Sequence, residues 1–231
     1  MNQLNILSGG AAHGLVTSLA PAFKMQTGFE IKGEFGAVGG MADKLRQGVA
    51  ADLIILTSAL VAKLAAEKLA AASSIKDVGL VETALAVRSG DPRLSVKSAD
   101  DLRAAFLAAD AIFVPDTGAS TAGIHVANVL TRLGIADEVA TRLKIHPNGA
   151  TAMRELAASD AKRPIGCTQS TEIIVTKGVE LSGSLPSGCE LVTTYAAAVT
   201  TGAMHAREAQ ALIALLTGTE AAQARHEAGF L

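Results

Sequence analysis

The sequence predicts an α/β protein with mostly parallel sheets, on three observations. Short apolar runs alternate with segments of helical periodicity from one end of the chain to the other, a pattern typical of strand–helix–strand units. Glycines are concentrated at the junctions where a predicted strand passes into a predicted helix. The chain has 231 residues, of which 49% are hydrophobic, so it is long enough for one large domain or two small lobes with separate cores.

The first half of the chain is expected to form four strands and three helices. The strands are predicted at Leu4–Leu7, Phe29–Phe35, Asp52–Leu56 and Leu80–Arg88, and the helices at Gly10–Gln26, Gly39–Gln47 and Ser58–Leu69. Gly28 and Gly48 follow the first two helices, and a glycine there ends a helix because it readily adopts the left-handed backbone conformation.

The second half repeats this alternation. Strands are predicted at Ala111–Pro115, Lys144–His146, Pro164–Gln169, Val179–Ser182 and Tyr195–Thr200, and helices at Thr121–Leu133, Ala150–Ala158, Ala206–Leu216 and Glu220–Ala228. A further helix begins after Ser98, which is expected to form a capping box with Asp101. Leu102 and Phe106 lie on the inner face of that helix. The helix at 121–133 is expected to bury one apolar stripe, formed by Ile124, Ala127, Leu130 and Leu133.

Composition argues against several classes of partner. Aromatic residues make up 3% of the chain, too few for a platform that stacks bases. The net charge is −2 with mixed signs along the chain, so no basic stripe for nucleic acid is present. No uncharged apolar stretch of about 18 residues predicts a membrane span.

Known chemical motifs are absent from the sequence. Gly9, Gly10 and Gly14 do not fit the dinucleotide pattern G-x-G-x-x-G, and neither a P-loop nor a G-x-S-x-G element occurs. The five histidines show no metal-ligand spacing, so neither a metal nor another cofactor is expected. Cys167 and Cys189 are expected to be unpaired, with Cys167 buried on a strand, although a disulfide between them stays open in an oxidising compartment.

Five strand-to-helix junctions made of small residues are the most informative feature. They are Ser8-Gly9-Gly10-Ala11, Ala37-Val38-Gly39-Gly40, Gly118-Ala119-Ser120-Thr121, Asn148-Gly149-Ala150-Thr151 and Gln169-Ser170-Thr171. Such junctions lie at the carboxyl ends of parallel strands, where ligands bind, and each begins a helix whose free N–H groups favour an anion. One junction of this kind is an ordinary α/β turn, whereas five together favour a pocket for an oxyanion or a carboxylate.

Five longer blocks occur in order along nearly the whole chain. They read LSGGAAHGLVTSLAPAFKMQTG, FGAVGGMADKLRQGVAADLIIL, GASTAGIHVANVLTRLGI, IGCTQSTEIIVTKGVELSGSLP and LTGTEAAQARHEAGF. Together they resemble the molybdate-binding-protein-like group of bacterial periplasmic solute-binding proteins, which feed ABC importers.

This resemblance implies a type II periplasmic-binding-protein fold, in which two α/β lobes close over a ligand in the cleft between them. Lobe one would comprise residues 1–82 and 196–231, and lobe two residues 83–195, with crossover hinges near 82–88 and 191–200. It also implies a small anionic ligand, ABC-transporter membrane subunits as partners, and a monomer.

The junctions and the resemblance together predict the ligand contacts. The candidates are Ser8, Gly9, Gly10, Ala11, His13, Val38, Gly39, Gly40, Ser120, Thr121, Asn148, Gly149, Gln169, Ser170 and Glu172. The family's molybdate binders place a serine in each of the first two loops, whereas this chain has Ala11 in one and Val38 or Gly39 in the other. Because an oxyanion held without charge needs dense hydrogen bonding, we expect a carboxylate rather than molybdate or tungstate.

Two functions of different class follow. The first is a solute-binding protein that delivers a small anion to an importer, and the second is an isomerase on the same fold that resembles aconitate isomerase. The isomerase would need a base, and the candidates are His13, whose position in a first helical turn favours neutral imidazole, and Glu172. His13 could equally be a surface histidine, and Glu172 could cap a helix. Arg88 and Lys24 are too few cations to neutralise three carboxylates.

The start of the chain, MNQLNIL, has no basic region, long apolar core or small-residue cleavage site. The expected location is therefore periplasmic if a leader was removed and cytoplasmic if Met1 is native.

Overall fold

The computed structural model describes residues 2–231, which divide into two compact units. Unit 1 contains the described residues up to Val81 together with Thr193–Leu231, and unit 2 contains Glu82–Val192. The predicted hinge segments and the ligand cleft remain predictions.

The strands and helices alternate as the sequence predicts. The strands are β1 Gln3–Gly9, β2 Glu30–Gly36, β3 Leu53–Thr57, β4 Lys76–Arg88, β5 Ala111–Pro115, β6 Leu143–His146, β7 Pro164–Gln169, β8 Val179–Ser184 and β9 Val192–Val199. The helices are α1 His13–Thr27, α2 Val38–Arg46, α3 Ser58–Ala66, α4 Ala99–Ala108, α5 Thr121–Arg132, α6 Ala136–Val139, α7 Gly149–Ala158, α8 Ser170–Ile174, α9 Ala206–Thr217 and α10 Ala222–Glu227. Short 3₁₀ turns occur at Gly10–Ala12, Ala72–Ser74, Ala140–Arg142 and Thr219–Ala221.

Unit 1 is built on a mixed sheet. β1 pairs in parallel with β2 and β3, and β3 pairs antiparallel with β9. The central strands are apolar and buried, and α1 closes over them with Phe23, which is fully buried. α1 ends at Gly28, whose φ of 77° is left-handed, as the sequence predicts.

Unit 2 contains a second mixed sheet. β4 pairs antiparallel with β7 and β8, and β5 pairs in parallel with β6 and β7. Side chains alternate between the two faces of each strand, and Cys167 therefore packs with α4 and α5 on one face. Ala152, Met153 and Leu156 of α7 pack on the other face, with Ala84 and Ala86. The helices α5 and α7 thus lie on opposite faces of one sheet.

The predicted capping box at the start of α4 is confirmed. The hydroxyl of Ser98 accepts the Asp101 N–H at 3.1 Å, and the Asp101 carboxylate accepts the Ser98 N–H at 3.0 Å. Leu102 and Phe106 are fully buried on the inner face, as predicted. A local sequence pattern is sufficient here because both capping partners belong to the same helical turn.

The buried stripe predicted for α5 is confirmed at Leu130, which is buried, and at Leu133, which packs against the core, but it is wrong at Ile124. Ile124 is 41% exposed, and the buried residues are Ala122, Gly123, Val126, Val129 and Leu130. The first turn of the helix presents Ala122 and Gly123 inward because it approaches the end of β5 closely: a Cβ atom at Gly123 would overlap the carbonyl oxygens of Pro115 and Asp116. The buried face is therefore rotated from the predicted stripe toward Val126 and Val129, and it retains Leu130.

Both cysteines are free and buried, and Cys167 lies on β7. Burial raises the pKa of Cys167 to about 12, so its thiol is protonated and unreactive at neutral pH. Within residues 2–231, no helix combines the length and apolar character that a membrane crossing needs.

Candidate functional site

The first junction of unit 1 is shaped largely by packing. Ser8 is fully buried, and its hydroxyl donates to the Gly9 carbonyl oxygen at 2.9 Å. A Cβ atom at Gly9 would lie 2.7 Å from Cγ1 of Val38 and 3.0 Å from Cε1 of Tyr195. Glycine is therefore required at position 9 by its own neighbours, whatever the ligand.

The remaining candidates of unit 1 differ in exposure. Gly10 is half-buried and Ala11 is buried, while Gly39 and Gly40 are both half-buried. A Cβ atom at Gly40 would meet nothing within 4 Å, so packing does not require this glycine. The helix α2, which begins at Val38, has no side-chain cap at its N-terminus.

His13 lies in a first helical turn, as predicted, although α1 begins at His13 itself after a 3₁₀ turn at Gly10–Ala12, and the residue is exposed. Its ring lies 4.4 Å from the ring of Phe35, centroid to centroid, at an interplanar angle of 47°. The imidazole therefore rests on an aromatic neighbour at the surface of unit 1.

In unit 2, the N-terminus of α5 is open. The Asp116 carboxylate accepts the N–H groups of Gly118 and Ala119, both at 2.7 Å, and so closes the turn that follows β5. Ser120 occupies the N-cap position and is buried, yet its hydroxyl makes no capping hydrogen bond. The N–H groups of the first turn, which starts at Thr121, are therefore left for another acceptor.

Buried polar side chains without partners occur on β4, β7 and α8. Gln169 is only 2% exposed, and neither its amide nitrogen nor its amide oxygen has a hydrogen-bond partner in the described chain. The hydroxyls of Thr83 and Thr171 are also buried and unpartnered there. Such groups are rare in folded proteins, because each carries a desolvation penalty of about 1–3 kcal/mol.

Strand register brings Gln169 to the α5 side of the sheet. Gln169 pairs with Thr83 across β7 and β4, and Cys167 pairs with Leu85 two residues earlier. Cys167 and Leu85 belong to the core that α5 covers, and side chains two residues apart share a face. The amide of Gln169 and the start of α5 therefore share one face and one edge of the unit 2 sheet, because β5 and β7 run parallel.

At the N-terminus of α7, on the opposite face of the sheet, side chains of the protein itself accept hydrogen bonds from the backbone N–H groups. Asn148 is its N-cap, and the Asn148 side chain accepts the Thr151 N–H at 2.8 Å. The carboxylate of Glu172 accepts the hydroxyl of Thr168 at 2.6 Å and backbone N–H groups that include those of Gly149 and Ala150. Glu172 thus caps a helix, but that helix is α7 rather than its own.

Burial raises the pKa of Glu172 above its ordinary value, and the hydrogen bonds from Thr168, Ala150, Gln169 and Gly149 act in the opposite direction. A Cβ atom at Gly149 would overlap both the Glu172 carboxylate and the Thr168 hydroxyl. Gly149 therefore accommodates the Glu172 carboxylate, and Asn148 caps the same helix start. A ligand contact at Asn148 or Gly149 stays a prediction.

Lys24 and Arg88, the two cations considered as partners for a ligand carboxylate, interact with other groups of the protein. The Lys24 ammonium pairs with Glu30 at 2.7 Å. The Arg88 guanidinium pairs with Asp91 at 3.1 Å and donates to the Ser159 carbonyl oxygen. Among the described residues, no cluster of three or more His, Cys, Asp or Glu side chains is suited to a metal ion. An anion at the start of α5 would therefore be held by hydrogen bonds and the helix dipole.

Sequence reasoning missed two residues of these junctions as individual contacts. Thr83 lies within an apolar strand, and its only signal was a hydroxyl in a buried position. Thr168 precedes Glu172 by four residues, and the pairing of the two side chains depends on the sharp turn between β7 and α8.

The chain resembles several known proteins. The profile of a family described as bacterial extracellular solute-binding protein matches residues 4–231. An aconitate isomerase from a Pseudomonas species is 25% identical over 240 residues, which cover 99% of this chain and 87% of that protein.

Two solved structures illustrate the likeness in fold. The periplasmic molybdate-binding protein of Azotobacter vinelandii matches with a TM-score of 0.81 and 19% identity, over 99% of this chain and 98% of that one. The sulfate-binding protein SubI from Mycobacterium tuberculosis H37Rv matches with a TM-score of 0.76 and 17% identity, over 100% of this chain and 86% of that one. These matches confirm the predicted fold class.

Proposed function

Because this chain belongs to the bacterial extracellular solute-binding protein family, we propose that it binds a small organic anion whose carboxylate lies at the start of α5. Members of this family capture small solutes for ABC importers, so the importer's membrane subunits are the expected partners, and exported members work in the periplasm. We further propose that this chain acts there as a monomer.

The observation that carries the proposal is the buried, unpartnered amide of Gln169, which lies on the same face and edge of the unit 2 sheet as the uncapped start of α5. A carboxylate accepts hydrogen bonds from backbone N–H groups and benefits from the positive end of the helix dipole. The Gln169 amide can both donate and accept, so it suits a hydroxyl or a second carboxyl group of the same solute. Ser120 offers a further hydroxyl at the cap position.

The loss of two hydroxyls supports an organic rather than an inorganic anion. Ala11 and Val38 stand where hydroxyl side chains were expected for molybdate, and both are buried hydrophobic residues. The nearby hydroxyl of Ser8 already donates to Gly9. A tetrahedral oxyanion would therefore find few side-chain donors in the first two loops of unit 1.

The experiment is a thermal-shift and calorimetric screen of the purified protein. The panel contains molybdate, tungstate, sulfate, phosphate and mono-, di- and tricarboxylates with and without a hydroxyl. A ligand at 100 times its Kd stabilises the folded state by about 2.7 kcal/mol, which is easily detected. A shift with a carboxylate supports the proposal, and a shift with molybdate alone contradicts it.

Gln169→Leu tests the site itself, because the buried amide costs stability that only a ligand restores. We expect this variant to be about 1–3 kcal/mol more stable without ligand and to bind the carboxylate at least about tenfold more weakly, a loss of about 1.4 kcal/mol. Gln26→Leu, on the exposed side of α1, is the matched control and should change neither quantity. Unchanged affinity in Gln169→Leu would place the solute elsewhere.

A second candidate function is isomerisation of a small carboxylate, favoured by the 25% identity to an aconitate isomerase over almost the whole chain. Of the two candidate bases, Glu172 is buried and engaged by several donors, whereas His13 is exposed. Incubating the protein with cis- and trans-aconitate and following their interconversion tests this function. Turnover that His13→Ala abolishes would show an enzyme, and unchanged aconitate would leave a binding protein.

A further inference from the structure

We propose that unit 2 carries a second binding site, an apolar cavity at the C-terminal end of α4 that takes a small aliphatic monocarboxylate. The cavity has a volume of about 260 Å³ and lies where the start of β7 meets the end of β4. β7 begins at Pro164, which lines the cavity, and ends at Gln169. The cavity and Gln169 therefore lie at opposite ends of one strand, about 17 Å apart along it, and the inference does not depend on the proposed function.

The cavity exists because the inward side chains of α4 become smaller toward the end of the helix. Leu102 and Phe106 are fully buried and fill the space beneath the earlier turns. Ala105 and Ala109 line the cavity, and residues four apart lie one above the other on a helix face. Their methyl groups leave open a space that larger side chains would fill.

The remaining lining is apolar and held in place. Val87 and Ile165, which pair across β4 and β7, line the cavity from the sheet. Leu94 lines it from the segment between β4 and α4, and the Leu94 N–H donates to the Ser182 hydroxyl of β8 at 2.7 Å. An apolar cavity of about 150 Å³ holds one benzene molecule, so this one has room for roughly six to ten carbon atoms.

The charges at the mouth of the cavity favour an anionic head group. The Asp91 carboxylate is paired with Arg88 at 3.1 Å. The Asp110 carboxylate is paired with Arg163 at 3.2 Å. Lys162 is exposed and lines the same mouth, and among residues 2–231 no acidic group forms an ion pair with its ammonium. One unpaired ammonium beside an apolar cavity suits a ligand with one carboxylate and an apolar chain.

The end of α4 does not oppose this head group. A helix C-terminus carries partial negative charge and would by itself repel an anion. Here the Arg142 guanidinium donates to the carbonyl oxygens of Leu107 and Ala109, both at 2.7 Å. This cation offsets the charge of the helix end, so Lys162 determines which head group is preferred.

Calorimetry with octanoate tests the site. The wild-type protein should bind octanoate saturably and at least about threefold more tightly than octylammonium, which has the opposite charge. Ala105→Leu fills the cavity and should weaken octanoate binding at least about tenfold. Ala104→Leu, exposed on the same helix and outside the cavity lining, is the matched control and should bind as wild type does. Lys162→Gln should weaken binding about threefold, and Lys32→Gln in unit 1 should not.

The same titration separates this site from the start of α5. Gln169→Leu should keep its affinity for octanoate, and in the ¹⁵N-labelled wild-type protein the amide signals of Ala105 and Ala109 should shift saturably. No saturable binding to the wild-type protein, unchanged binding in Ala105→Leu, or loss of binding in Gln169→Leu would each overturn the inference. The proposed function fails separately, namely if no hydroxycarboxylate binds with an affinity that Gln169→Leu lowers.

Discussion

The helices α5 and α7 begin at the same edge of one sheet, yet they differ in which groups accept hydrogen bonds from their first backbone N–H groups. Each follows a strand of the same parallel set, β5 or β6, and each packs on one face of the sheet of unit 2. The start of α7 has a side-chain cap and a carboxylate supplied by the chain itself. The start of α5 has no side-chain cap and lies on the face of the unpartnered Gln169 amide.

The difference shows that small residues at a strand-to-helix junction do not by themselves identify a ligand site. Gly149 is small to admit the Glu172 carboxylate, and Gly123 is small to admit the backbone carbonyls that follow β5. A site is indicated only where the donors of the helix start lack partners in the chain. In unit 2, that criterion separates α5 from α7.

The largest expected effects come from adding a methyl group to these two glycines. Gly123→Ala should lose about 3 kcal/mol or more of unfolding free energy, because backbone carbonyls cannot move aside, and Gly149→Ala should lose about 1–3 kcal/mol. Urea denaturation measures both.

A double-mutant cycle sharpens the comparison. Glu172→Ala should relieve most of the penalty of Gly149→Ala, since the two residues are in contact, and should leave the penalty of Gly123→Ala unchanged. Additive effects at Gly149 and Glu172 would contradict the carboxylate position described here.

The next expected effect is a pH dependence of the free energy of unfolding that arises from Glu172 at the start of α7. Burial raises the pKa of Glu172 above its ordinary value of 4.5. The contribution of Glu172 to the free energy of unfolding is therefore fully present below that value and is lost as the pH rises through the folded-state pKa. The stability of wild type relative to Glu172→Gln should therefore decrease as the pH rises from 4 to 9. Chemical denaturation at several pH values measures this, and Glu155→Gln should run parallel to wild type. A relative stability that increases with pH would mean that the donors outweigh burial.

Local sequence patterns predicted most of the fold. The capping box at Ser98 and the glycine end of α1 each depend on residues within one helical turn, and the structure agrees with both. The buried stripe of α5 was predicted correctly at Leu130 but not at Ile124, because the orientation of the first turn depends on how closely Gly123 approaches the end of β5.

The site could be predicted only as a set of junctions. The sequence selects Ser120, Gln169 and Glu172 as polar residues at such junctions, but their partners lie elsewhere in the chain. Glu172 meets Gly149 from 23 positions away, and Gln169 faces α5 only because β4 and β7 pair in the observed register. Which helix start is open is therefore a property of tertiary structure.

A smaller effect is expected at the cap of α7. Asn148→Ala removes the acceptor of the Thr151 N–H and should cost about 1 kcal/mol of unfolding free energy, as is usual for the loss of an N-cap. Thermal and urea denaturation measure this loss, and Asn148→Asp, which keeps an acceptor oxygen, should restore most of it. The affinity for the carboxylate should not change in either variant. A clear loss of affinity would show that Asn148 contacts the ligand.

The smallest effect on stability is expected at the cap of α5. Ser120→Ala should change the unfolding free energy by less than about 0.5 kcal/mol, because the Ser120 hydroxyl caps nothing in the protein. The same variant should weaken carboxylate binding, since the hydroxyl is available to the solute. Calorimetry and denaturation on one preparation separate the two quantities. Asn148→Ala and Ser120→Ala should thus show opposite profiles, one losing stability and the other affinity. A Ser120→Ala protein that loses stability and keeps its affinity would mean that the N–H groups at the start of α5, like those of α7, donate to acceptors within the protein.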